Sequence, residues 1–64
     1  MSKNQELRER RDKLGLSRIE VEKDTGIHAG AIYRMEGGFS ELKYEMVEKL
    51  ETYYKKREML RKTI

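Results

Sequence analysis

Residues 17–36 read SRIEVEKDTGIHAGAIYRME, and this stretch decides the fold. Ser17 is a good helix N-cap. Glu20, three residues later, completes a Ser-x-x-Glu capping box, the arrangement that satisfies the free donors of a helix start. Apolar residues follow at Ile19, Val21, Ile27, Ile32 and Met35. Gly26 falls where a helix closes on a left-handed residue. The spacing predicts one short helix over 18–25 and a second over 29–36, opened by His28 and stopped by Gly37-Gly38. So short a link makes two helices cross steeply.

These positions resemble the helix-turn-helix of the lambda-repressor-like, Cro-type (XRE) family of small DNA-binding regulators. The family pattern is met at Leu16, Ser17, Arg18, Val21, Gly26, Ile27, Ile32, Met35, Glu36 and Gly38, and the match runs from Leu7 to Leu50. The chain departs from the pattern at Glu22, where Ala is usual, at His28, where Ser or Thr is usual, and at Gly30 inside the second helix. The resemblance implies an all-α fold: a small four- to five-helix lambda-repressor-like domain with an extended C-terminal helix. It makes 29–36 a recognition helix for a DNA groove and 18–25 the helix that braces it. It also implies that Arg11 pairs with Glu36. Read from the residues alone, Arg11 has two placements. It lies between Leu7 and Leu14 on an inward face, where an unpaired buried charge is costly, or it is exposed beside Arg8 and Arg10.

Length and composition agree with a small binding module. Sixty-four residues allow one domain and one small core. There is no acid–base constellation, phosphate-binding glycine loop or metal set, so an enzyme is not expected, nor a cofactor or small-molecule effector. The absence of cysteine removes disulfides and thiolate metal sites, and a single histidine argues against zinc. A pI near 9.3 permits nucleic-acid binding. The start, MSKNQELRER, has no apolar run, so neither a signal peptide nor a membrane span is expected there, and the location expected is the cytoplasm. With Met first and no tag, the chain reads as a complete small protein. It has no proline, and aliphatic residues recur at steps of three and four, which argues for helices throughout.

The expected organisation is a helix-turn-helix domain over 1–54 and a basic helical extension over 55–64. Ser2 and Gln5 cap a first helix over 3–14, Gly15 stops it, and Leu16 makes the apolar contact that goes with such a stop. Phe39 is expected to cover the edge of the core. Beyond Leu42 nothing breaks a helix. Met46, Leu50, Tyr53, Arg57, Leu60 and Ile64 alternate steps of four and three, a heptad seam with Arg57 as its polar member. Either this helix folds back on its own domain, or Tyr53, Arg57, Leu60 and Ile64 pair with a second copy in a homodimer. The extension carries five cations against Glu58, while residues 1–54 hold ten cations and eleven carboxylates. Any DNA-binding face must therefore gather the few positive charges of a nearly neutral body.

The residues expected at that face are Arg18, His28, Ala29, Gly30, Tyr33, Arg34, Gly37 and Lys43. Ala29 suits a thymine methyl. Arg34, Tyr33 and His28 suit bases or phosphates, and the glycine pair offers backbone N–H groups to a phosphate. The function expected is a sequence-specific regulator of transcription on double-stranded DNA. It resembles the repressors of phages and mobile elements, acting by operator occupancy as a dimer. The alternative is a protein-interaction module of the same fold that binds another regulator or a polymerase subunit. The side-chain-poor start of the recognition helix keeps that alternative open.

Overall fold

Caps delimit the first three helices. In the computed structural model, which describes residues 2–62 apart from the Lys62 side chain, α1 spans Lys3–Lys13, α2 Arg18–Thr25, α3 Ala29–Gly37 and α4 Tyr44–Lys62. Ser2 Oγ accepts from the Gln5 N–H at 3.2 Å, and Ser17 Oγ from the Glu20 N–H at 3.1 Å. At the end of α1 the Gly15 N–H bonds Asp12 O at 3.0 Å and the Leu16 N–H bonds Arg11 O at 3.3 Å. That paired closure puts Gly15 at φ 69° and turns Leu16 into the core. Gly26, at φ 80°, closes α2 with a single bond to Glu22 O at 2.8 Å.

The core is Leu7, Leu16, Val21, Ile27, Ile32, Met35, Leu50 and Tyr54, so every helix contributes to it. α3 packs on α1 and α2, and α4 packs on the same two helices. Among the described residues the elements are helices only, four of them, and the long α4 extends the small lambda-repressor-like arrangement.

α4 folds back on its own domain. Lys3 Nζ meets Glu51 Oε2 at 2.8 Å, Arg10 forks onto Glu58 at 3.1 and 3.2 Å, and Arg61 Nη1 donates to Lys13 O. Each pair joins residues 48 apart in sequence, so α1 and α4 run parallel in one register. The upstream half of the heptad seam is thus met within the chain: Leu50 lies in the core, Met46 packs against it, and the Tyr53 hydroxyl donates to Asp24. Arg57 and Leu60 line a surface groove with Leu14, Leu60 being 56% exposed; Ile64 lies outside the described residues.

Phe39 corrects an expectation. It does not cover the core edge but stands 70% exposed beyond the end of α3. Its N–H bonds Arg34 O at 2.9 Å and that of Gly38, at φ 75°, bonds Met35 O at 3.3 Å. This is the same paired closure as in α1, and it directs Phe39 back over α3.

Candidate nucleic-acid interface

The recognition helix α3 is fixed at its end by one buried carboxylate. Glu36 is 6% exposed and Arg11 7%. Arg11 Nε reaches Glu36 Oε2 at 2.8 Å and Arg11 Nη2 reaches Oε1 at 3.0 Å, a forked pair. Arg11 Nη1 also donates to Leu16 O at 2.8 Å, so the guanidinium ties α1, the α1–α2 turn and α3 together. The Glu36 carboxylate holds Arg11 above its ordinary range, against the opposing effect of burial. Arg18 Nε joins the same Oε1 at 3.0 Å from the start of α2. Asn4 Nδ2 adds a bond to Met35 O.

The start of α3 is closed from within. Glu22 Oε1 accepts the Ala29 N–H at 2.7 Å, His28 Nδ1 accepts the Gly30 N–H at 3.0 Å, and the Ala31 N–H bonds His28 O at 2.9 Å. A carboxylate at a helix N-terminus is favoured by the helix dipole. Two departures from the family pattern, Glu22 and His28, therefore serve one purpose here. Thr25 finishes the turn: its hydroxyl donates to Val21 O at 2.7 Å and accepts from the Ile27 N–H at 3.1 Å. With Nδ1 accepting, the neutral His28 ring carries its proton on Nε2.

Gly38 and Phe39 likewise use their N–H groups within the chain, so this turn does not keep those donors for a phosphate as the glycine pair suggested. Gly37 is the last residue of α3 and lies under the Phe39 ring. The side chains expected at this face are placed to make the contacts instead. Tyr33 and Arg34 are exposed on α3, and so is His28 at its start. Arg34 leans toward the helix start: a Cβ on Gly30 would lie 3.6 Å from Arg34 Nη1. Arg34 also lines a cleft with Ser40, Glu41 and Lys43, which brings two expected cations together. Among the described residues neither Arg34 nor Lys43 has a carboxylate within ion-pair distance. Ala29 and Gly30 sit half-exposed beside them.

Arg18 is placed differently from a free phosphate contact. It is committed to Glu36, and its guanidinium carbon sits 5.2 Å from the centroid of the Tyr33 ring. Phe39 is the other neighbour of that ring and stacks on it, with centroids 5.9 Å apart and planes 27° apart. Sequence reasoning missed Phe39 and Glu22 at this face. The Ala-to-Glu departure at 22 was the only available signal for the second, and nothing in the spacing marks the first.

Two short packed helices, α2 and α3, joined through the turn at Gly26, with the second clamped and facing outward, are a helix-turn-helix. A family model described as Helix-turn-helix matches residues 7–59, and the chain belongs to this family, the XRE-type regulators. It is a DNA-binding helix-turn-helix regulator, and its ligand is double-stranded DNA. Neither the curated proteins nor the solved structures give a match. No helix among the described residues is long and apolar enough to cross a membrane.

Proposed function

We propose that the protein is a sequence-specific transcriptional repressor of the phage or mobile-element type. It works in the cytoplasm and covers its operator as a homodimer, with α3 in the major groove. The observation that carries this reading is the Glu36 clamp. Three helices are bound to one buried carboxylate so that α3 presents Arg34, Tyr33 and His28 in a fixed direction, with Lys43 beside them. Ala29 and Gly30 give that helix a low profile at its start. Two copies joined through Arg57, Leu60 and the end of α4 would set their recognition helices about 34 Å apart, one turn of the duplex.

Selection of bound sites from random duplex DNA tests the reading, followed by binding against salt. Arg34→Ala should weaken binding strongly. It should also relax specificity at one position if Arg34 reads a base. If it meets only phosphate, the loss is uniform across sequences and the salt slope falls by about one. Sedimentation of the full chain at micromolar concentration tests the dimer, and a monomer there removes it.

The exposed Tyr33–Phe39 stack favours a second reading, docking of another protein on the same face. Failure of the chain to bind duplex DNA even at low salt would support that reading over the first.

A further inference from the structure

We infer that Phe39 and Gly37 are positioning residues that set the sequence preference of α3 by fixing the side chain of Tyr33. The inference rests on the DNA-reading function proposed above.

Tyr33 is the one aromatic side chain on α3, 52% exposed, and its hydroxyl has no hydrogen-bond partner among the described residues. Its ring nevertheless has neighbours from two other segments. The Arg18 guanidinium comes from α2 at 5.2 Å, itself held by buried Glu36, and the Phe39 ring comes from the turn after α3 at 5.9 Å. A free tyrosine on a helix surface exchanges between two χ1 rotamers and would sweep its hydroxyl over more than one base step. Held by both neighbours, it meets one step only. An aromatic side chain restrained before binding loses less entropy on contact, and that gain counts only where the fixed position suits the ligand.

Gly37 is what permits the arrangement. Phe39 is turned back over α3 by the closure at Gly38, and its ring then occupies the space above Gly37. A Cβ on Gly37 would lie 2.6 Å from Phe39 Cδ2, inside the contact distance of real Cβ atoms. Gly37 has an ordinary helical φ, so glycine is not required there by the backbone. The ring is the reason for it. The exposure of Phe39 is explained in the same way: an apolar ring kept out of the core is retained to buttress Tyr33.

The test is selection from random duplex DNA with the full chain, comparing wild type, Tyr33→Ala, Phe39→Ala, Phe39→Tyr and Gly37→Ala. Tyr33→Ala identifies the base-pair position that Tyr33 reads. Phe39→Ala and Gly37→Ala should lose roughly three- to tenfold discrimination at that same position. Phe39→Tyr, which keeps the stack, should retain it. Phe39→Ala should leave the salt slope unchanged, because no cation is removed. Gly37→Ala should leave the melting temperature close to wild type, since the helix propensity that alanine adds offsets the stacking contact it displaces, so its lost preference is not a folding defect. Wild-type preference in both Phe39→Ala and Gly37→Ala overturns the inference while leaving the DNA-binding function intact. A wild-type chain that binds no duplex DNA overturns both.

Discussion

Neighbouring arginines on α1 each fork onto a glutamate, and the two junctions behave oppositely. Arg11 and Glu36 join α1 to α3 with side chains 8% and 2% exposed. Arg10 and Glu58 join α1 to α4 with side chains 23% and 38% exposed. The geometry is alike, but the surroundings are not. In the first pair each charge has exchanged water for its partner, so neither can be removed alone. In the second, water solvates both whether or not they meet. The chain thus uses a buried pair to fix the direction of the helix that meets the ligand and wet pairs to hold the tail in register. The Arg10 guanidinium is also 5.9 Å from the Tyr54 ring, so it covers the core edge with its body as well as its charge.

The sharpest way to break the comparison is Arg11→Ala. It strands Glu36 without its main partner and should cost about 3–5 kcal/mol, read as the urea midpoint. An unchanged midpoint would show that the junction is solvated. Replacing both partners together, Arg11→Met with Glu36→Leu, should recover much of that loss, because a packed apolar pair needs no compensation. Glu58→Ala should cost at most about 1 kcal/mol, and less still in high salt. A loss as large as that of Arg11→Ala would make the tail part of the same cooperative unit as the clamp.

Tyr54 stands between the two junctions. It is fully buried, and its hydroxyl has no hydrogen-bond partner among the described residues. Burial first, and then the charge of Glu36, pushes that hydroxyl from an ordinary 10.0 up to about 12. Below pH 10 both folded and unfolded chains keep the proton and the shift has no effect on stability. Between pH 10 and about 12 the unfolded chain loses it first, so stability falls across that window. Tyr54→Phe should therefore change stability by no more than about 1 kcal/mol at neutral pH, since no bond is lost. It should also flatten part of the alkaline decline. Tyr53, likewise raised to about 12 by burial and its bond to Asp24, continues the remainder. Melting temperatures from pH 8 upward decide it, and a large neutral-pH loss would reveal a partner for the hydroxyl.

What the sequence made legible were local rules. Ser2 and Ser17 cap as their spacing says, Gly15, Gly26 and Gly38 take the left-handed positions, and Arg11 between two leucines lies on the inward face. What stayed hidden depends on contacts that no period records. A heptad seam asks for a helix to pack along it but does not say whose or in which direction, and α1 of the same chain answers, parallel, for the upstream half of α4. The charges that fix this register, Lys3 with Glu51 and Arg10 with Glu58, are spaced seven apart on each helix, yet two such rows become a signal only once the helices are known to be parallel. Glu22 reaches a backbone N–H seven residues on. Phe39 is apolar and would be placed inside by composition; the left-handed Gly38 sends it outward.

The smallest expected effect concerns Gly30 and separates two reasons for a glycine near the start of a recognition helix. Alanine there should gain about 1 kcal/mol in helix propensity. The new Cβ, however, would lie 3.1 Å from His28 Nδ1, the atom that accepts the Gly30 N–H. The ring must give way by a few tenths of an ångström, at the cost of part of a cap worth about 1 kcal/mol. In the wild-type background Gly30→Ala should thus leave stability nearly unchanged. In a His28→Asn background the shorter cap leaves room for the methyl group, and the full gain should appear. Chemical denaturation of the four chains gives the coupling directly. If alanine stabilises equally in both backgrounds, the imidazole does not need the glycine. The reason for Gly30 then lies outside the folded chain, in how closely the start of α3 must approach its DNA.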